Sequence, residues 1–353
     1  MAQGARPNGP KQQKSPQRGA KAAGPKPGPK PGTSQAAPPR NTAKSGNPAR
    51  RSGTAGAVSG APAGIGGWIA GARLRTLPLA IAPVALGTGA AVVAGGAGEF
   101  HWVRALFALV VAVSLQIGVN YANDYSDGIR GTDDHRVGPA RLTGGGAAKP
   151  RAVLTVALVF FGIAAVAGLA LIVVSQHWWL LLVGAAAIVA AWFYTGGKRP
   201  YGYLGLGEIF VFVFFGLVAT MGTTYVQVGT VNLESSLSAV AIGLMACAVL
   251  MVNNLRDIKP DKVAGKRTLA VRIGARASRV VFCVFLLVPF AIVAFFALFY
   301  PLAWFTMFVL LMVLPACLIT ATATTAKELI LALKLTSLAA LLYGVMLGLA
   351  FAL

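Results

Sequence analysis

Ten acidic side chains serve a chain of 353 residues, and six of the ten fall in two short stretches. The first reads Asn120-Tyr121-Ala122-Asn123-Asp124-Tyr125-Ser126-Asp127-Gly128-Ile129-Arg130-Gly131-Thr132-Asp133-Asp134. The second reads Asn253-Asn254-Leu255-Arg256-Asp257-Ile258-Lys259-Pro260-Asp261. On a helix end, Asn123 and Asp127 stand at i and i+4, as do Asp257 and Asp261, so each pair shares a face. Two such faces bring four carboxylates together, and carboxylates so crowded repel unless a cation sits between them. Asp and Asn are hard oxygen ligands suited to Mg²⁺. That ion usually takes a few carboxylates and leaves its other positions to water and phosphate. Lys198, Arg199, Arg256, Lys266 and Arg267 fall on the same side of the chain's topology and suit phosphate oxygens. Acids, Mg²⁺ and bases around a diphosphate would stabilise it as a leaving group. A lone interfacial Asp is as often a cap, and Asp-Gly as often a turn. Two clusters holding most of the chain's acids are poorly explained that way.

The elements that must position these residues follow from composition. The chain is 56% hydrophobic and 12% charged, about half the charge of a soluble domain, with a mean hydropathy of +0.69. A soluble globular domain is excluded, and an all-α polytopic membrane protein is expected. Nine apolar runs approach the ~20 residues that span a bilayer: 77–97, 102–122, 152–174, 178–195, 205–227, 237–255, 279–299, 301–321 and 334–353. Each acidic stretch begins where an even-numbered run ends. Of the 20 Lys and Arg beyond residue 60, only Arg104 falls in an odd-to-even loop. Nineteen against one is a strong positive-inside signal. It predicts a cell-membrane protein with the N-terminus and the acidic loops cytoplasmic and the C-terminus outside.

Residues 1–66 are expected to be a disordered basic tail preceding a transmembrane domain over 67–353. Residues 1–60 hold 11 Lys and Arg, no acid and 10 of the chain's 20 prolines. Such a composition cannot bury a core. It lacks the apolar segment of a signal peptide, and its expected contact is anionic lipid headgroups of the bilayer. The net charge of +21 is thereby mostly tail plus topology. No aromatic residue in the tail offers a base a stacking surface, so no nucleic-acid partner is expected. Cys247, Cys283 and Cys317 lie apart in apolar runs and imply neither zinc nor a disulfide framework.

Asn-Asp-x-x-Asp with a later Asp-x-x-x-Asp, each ending an even-numbered span, resembles the UbiA superfamily of intramembrane aromatic prenyltransferases. The finer pattern resembles its 1,4-dihydroxy-2-naphthoate polyprenyltransferase branch, of menaquinone synthesis. It comprises Asn120-x-x-Asn123-Asp124-Tyr125-x-Asp127-x-x-x-Gly131-x-Asp133 with Arg136-x-Gly138-Pro139-x-Arg141. It continues in Tyr194-Thr195-Gly196-Gly197-x-x-Pro200-Tyr201-Gly202-Tyr203-x-Gly205-x-Gly207-Glu208 and in Asn253-Asn254-x-Arg256-Asp257-x-x-x-Asp261 with Lys266-Arg267-Thr268-Leu269. Gly71-Ala72-Arg73-x-Arg75-Thr76-Leu77-Pro78 is also similar. The similarity covers roughly Trp68 to Gly274. Most of the superfamily places an acid four residues after Asp127; here that position is Gly131, and Asp133 follows.

The resemblance implies a UbiA-type bundle in which a polyprenyl diphosphate ionises and the naphthoate ring attacks. Carbon dioxide and diphosphate leave, and demethylmenaquinol forms. By the family pattern Asp124, Asp127, Asp257 and Asp261, with Asp133, hold Mg²⁺–diphosphate, assisted by Asn120 and Asn123. Lys198, Arg199, Arg256, Lys266 and Arg267 bind phosphate. Tyr194 faces the carbocation as a cation–π surface, or is an interfacial belt tyrosine.

Glu208 opens the fifth run and suits either an ion pair or a catalytic proton transfer. His135, beside the first acids, suits either an exposed loop position or substrate binding. An acceptor such as 4-hydroxybenzoate or a chlorin is a second reading. A cation or solute transporter is a third, disfavoured because transporter ionisable groups sit near the midplane of the bilayer.

Overall fold

The computed structural model describes residues 62–96, 101–132 and 141–353, and every regular element among them is helical. The expected tail up to residue 61 lies outside the described residues, as do Asp133, Asp134 and His135. The short helix α1 (Ile65–Gly71) is followed by α2 (Pro78–Gly95), α3 (Trp102–Ile129), α4 (Pro150–Ser175) and α5 (Leu180–Phe193). Next, one continuous rod runs from α6 (Gly207–Val211) through a π-helical stretch (Phe212–Met221) into α7 (Gly222–Val228). Then come α8 (Leu233–Arg256), the short α9 (Ile258–Val263), α10 (Leu269–Phe296), α11 (Leu310–Thr322, led in by 3₁₀ turns from Pro301) and α12 (Ala326–Ala352).

Eight helices among the described residues are long and apolar enough to cross a membrane, so the chain is a multi-pass membrane protein. The fourth expected span, 178–195, is α5, which is apolar but only 14 residues long. At 1.5 Å per residue it covers about 21 Å, short of the ~30 Å hydrocarbon layer. Two other elements outrun their expected ends. α3 continues past 122 to Ile129 and carries the first acidic motif as helix. α10 starts at Leu269 and bends at Gly274, whose φ of 81° suits glycine. The basic segment ahead of the bend therefore differs in direction from the span behind it.

Lipid is as apolar as leucine, so spans associate through close backbone approach rather than hydrophobic burial. The contact between α2 and α12 shows this. A Cβ on Gly89 would lie 2.0 Å from the Gly348 carbonyl oxygen, and one on Gly344 would lie 2.6 Å from that of Ala82. The first and last of the long helices thus pack backbone to backbone. α8 occupies the middle of the bundle and is its most buried span, at 72%. The π-helical stretch reaches α8 through another glycine pair: a Cβ on Gly216 would lie 2.7 Å from Cα of Gly243.

Helix ends are satisfied locally. Pro78 and Pro150 sit in first turns, where a missing N–H costs nothing. Capping boxes at Asn232/Ser235 and Thr325/Glu328 start α8 and α12. Arg104, the one basic residue in an odd-to-even loop's vicinity, donates Nη1 to the Val226 and Gln227 carbonyls at 3.1 and 2.9 Å and Nη2 to Val174 at 3.1 Å. It caps the ends of α7 and α4, where a cation also meets the negative pole of each helix. Cys283 on α10 and Cys317 on α11 are free thiols, each partly buried.

Candidate active site

The last turns of α3 turn four polar side chains inward, and all four are buried: Asn120, Asn123, Asp124 and Asp127. Asn120 donates Nδ2 to the Ala72 carbonyl (2.9 Å) and to Thr76 Oγ1 (3.2 Å), which ties α3 to the connection between α1 and α2. Asn123 accepts a hydrogen bond from Thr195 Oγ1 at 2.7 Å. Asp124 accepts backbone N–H groups on both oxygens, from Leu142 at 3.0 Å and Thr143 at 2.8 Å. It pins the chain returning towards α4. Asp127 accepts from the Tyr203 hydroxyl at 2.5 Å on Oδ1 and from Lys266 Nζ at 3.0 Å on Oδ2.

The second motif sits on a joint. α8 ends at Arg256, and Asp257 (φ −97°, ψ 9°) leads into α9. Arg256 forks onto its neighbour, Nε to Oδ1 at 2.7 Å and Nη2 to Oδ2 at 2.5 Å. The Asp261 N–H donates to the Asp257 carbonyl at 2.8 Å, so the i and i+4 relation survives the joint. The backbone N–H of Lys266 donates to the Asp261 carbonyl, also at 2.8 Å. One residue therefore touches both motifs, by its backbone at Asp261 and by its ammonium at Asp127.

Tyr203 organises this end of the bundle. Its ring lies 4.7 Å from Lys266 Nζ and 5.4 Å from the Arg130 guanidinium carbon, within cation–π range of both. Arg130 also donates to the Thr195 and Gly197 carbonyls, which fixes the turn after α5 against the end of α3. Burial, then the Asp127 carboxylate, pushes the Tyr203 phenol above its ordinary value, so it remains a donor. Lys198, Arg199 and Arg267 are exposed on neighbouring turns.

A cavity of about 540 Å³ lies beside the motifs. Its charged lining is Arg73 and Arg75 alone, joined by Thr76, Asn120, Asn123, Tyr194 and Asn253; the remainder is mainly apolar, from α3, α4, α5 and the π-helical stretch. Tyr194 meets Tyr201 edge-on at 5.5 Å. Its carbonyl accepts the Gly202 N–H at 3.0 Å, and a Cβ at position 202 would crowd that oxygen at 2.6 Å. Glu208 is buried behind this wall, with Oε1 accepting from Asn254 at 3.1 Å and Oε2 without a partner among the described residues.

The donor set suits a hard divalent cation held with substrate. Among the described residues no three of His, Cys, Asp and Glu gather as a metal site by themselves. Asp127, Asp257, Asp261 and the Asn123 amide offer oxygen at one end of the bundle, and phosphate and water are the usual remaining ligands of Mg²⁺.

The model of the UbiA prenyltransferase family matches residues 80–328. The chain belongs to the UbiA prenyltransferase family. A relative in Mycobacterium tuberculosis, named 1,4-dihydroxy-2-naphthoate octaprenyltransferase, is 53% identical over 215 residues, 61% of this chain and 72% of that one. Among solved structures, an apo UbiA homologue from Aeropyrum pernix K1 superposes with a TM-score of 0.59 at 16% identity, over 78% of this chain and 96% of that one. A UbiA homologue from Archaeoglobus fulgidus bound to DMAPP and Mg²⁺ gives 0.51 at 14% identity, over 80% and 99%. The chain is thus an enzyme of prenyl transfer with the UbiA fold.

Within this UbiA site, Tyr203, Arg130, Thr195 and Thr76 hold the motif residues in place, and sequence reading gave them no role. Arg130 stands within the first acidic stretch, and nothing in the sequence marks the Thr195 and Gly197 carbonyls as its partners. Tyr203 stood inside the glycine-rich segment after Tyr194, and nothing in its spacing marks Asp127 as its partner.

Proposed function

We propose that the protein transfers a polyprenyl group from a polyprenyl diphosphate to 1,4-dihydroxy-2-naphthoate, giving demethylmenaquinol, diphosphate and carbon dioxide. The observation carrying the prenyl-donor half is Lys266, which joins both acidic motifs beside an apolar cavity. The acceptor half rests on the name of the M. tuberculosis relative, whose length the match covers by 72%.

Asp127, Asp257 and Asp261, with the Asn123 amide, would hold Mg²⁺. The ion's contribution is to neutralise charge on the departing diphosphate. Asp124 holds the loop through Leu142 and Thr143. Lys266 and Arg256, with exposed Lys198, Arg199 and Arg267, supply positive charge to the phosphate oxygens. The allylic C–O bond breaks and diphosphate takes the electron pair. Tyr194 faces the resulting cation with its ring, and the apolar wall excludes water. The ring carbon bearing the carboxylate forms the new C–C bond. The bond to the carboxyl group then breaks, its electron pair returns to the ring, and carbon dioxide leaves.

The basic asymmetry supports a cell-membrane protein whose acidic end faces the cytoplasm. The test is purified protein in detergent with labelled dihydroxynaphthoate and a polyprenyl diphosphate, against 4-hydroxybenzoate. Prenylated, decarboxylated naphthoquinol is the expected product. Turnover of 4-hydroxybenzoate alone overturns the acceptor assignment.

A further inference from the structure

We propose that Lys266 is an internal stand-in for the metal: its ammonium occupies the Asp127 carboxylate until Mg²⁺ and diphosphate arrive together, and then moves to the phosphate. This rests on the function proposed above. Lys266 Nζ lies 3.0 Å from Asp127 Oδ2, and the two side chains are 9% and 5% exposed. Arg256 repeats the arrangement on the second motif, forked onto Asp257 with side chains 1% and 7% exposed. Two of the proposed metal-ligand carboxylates, Asp127 and Asp257, thus already face a cation from the same set of bases that the phosphate needs.

The consequence is an exchange of partners. A metal arriving alone must take Asp127 from Lys266 and leave a buried ammonium without its counter-charge, which is strongly unfavourable. A diphosphate arriving alone must draw Lys266 away and leave a buried carboxylate bare. Arriving together, the two conserve every charge contact: Asp127 passes from ammonium to metal, and Lys266 passes from carboxylate to phosphate. Tyr203 makes the exchange local. Its hydroxyl stays on Asp127 Oδ1 at 2.5 Å while its ring, 4.7 Å from Nζ, offers the ammonium a favourable surface as it shifts. The pair therefore makes metal and donor binding mutually dependent, and linkage requires the dependence to be reciprocal.

Bound Mn²⁺, counted by electron paramagnetic resonance on purified protein without any diphosphate, tests this. Lys266→Gln should bind Mn²⁺ at least about tenfold more tightly than wild type, a coupling of ~1.4 kcal/mol, because the competing cation is gone. Lys266→Arg, which keeps the charge, should stay close to wild type. A Gln variant that binds Mn²⁺ no more tightly overturns the proposal. A wild-type measurement covers a Gln variant that fails to fold: acylation of Lys266 by an amine reagent, read by mass spectrometry. Saturating Mn²⁺ alone should raise its labelling, and adding pyrophosphate should lower it again. Labelling indifferent to metal overturns the proposal. Prenyl transfer by wild type is scored separately, so loss of the exchange with transfer intact removes this inference alone. Mn²⁺ bound in no variant, with or without pyrophosphate, removes the metal reading as well.

Discussion

The Tyr203 hydroxyl donates to Asp127 at 2.5 Å across 76 residues of sequence. Burial and the Asp127 charge both favour the protonated phenol, so its folded value lies above the ordinary 10 of the unfolded chain. A group raised in this way contributes stability fully below its unfolded value and loses it as pH climbs through the folded one. Wild type should therefore lose stability above about pH 10 more steeply than Tyr203→Phe, which lacks the titrating group. Unfolding in detergent between pH 8 and 11 checks this; parallel curves contradict it.

Asp124 and Asp127 stand three residues apart and are expected to fail differently. Asp124→Asn turns an amide N–H₂ towards a backbone N–H it must otherwise accept, at Leu142 or Thr143. It should cost ~1–3 kcal/mol of stability, with the metal dependence of turnover little changed. Asp127→Asn removes a charge from the metal site and should lower kcat by at least ~10²-fold. Thermal unfolding and Mg²⁺ titration of the two variants side by side decide the matter. A matching metal response in both contradicts the division of roles.

Activity is expected to vanish in excess chelator and return with Mg²⁺. Asp257→Asn should follow Asp127→Asn, losing at least ~10²-fold in kcat, because both charges face the same leaving group. Full turnover in chelator removes the cation from the proposed reaction.

Arg104→Ala should lower the unfolding temperature and leave kcat unchanged. Its three bonds to the Val226, Gln227 and Val174 carbonyls each come from a charged donor, a class worth about 1.5–3 kcal/mol apiece before relaxation and solvation. An unaltered unfolding temperature contradicts its capping role.

What the sequence made legible was local. Apolar runs mark spans because lipid forbids exposed backbone, and the two acidic motifs stand out because acids are scarce in this chain. Hydropathy predicts a full span over 178–195 because it counts residues and not the turns at Trp178 and Trp179 that precede the first helical residue of α5. The i and i+4 faces of both motifs were legible because they depend only on helical pitch. The pairing of Lys266 with Asp127 was not, since it joins residues 139 apart and depends on how the helices pack. Asp124 looked like its neighbours in the motif, and only the path of Leu142 and Thr143 separates it from them. The last span lies beyond the stretch of resemblance, yet Gly344 and Gly348 fit it to one particular neighbour.

That last fit bears on how the enzyme is made. Gly89 and Gly348 touch across 259 positions of sequence, and Leu333, also on α12, lines the cavity. Spans leave the ribosome in order, so α2 waits in the bilayer with its glycine face uncovered while the intervening helices are synthesised. The chamber has no complete wall until α12 is inserted and docks. Assembly therefore waits on α12, and a nascent chain stalled before it holds both acidic motifs without a closed pocket to serve.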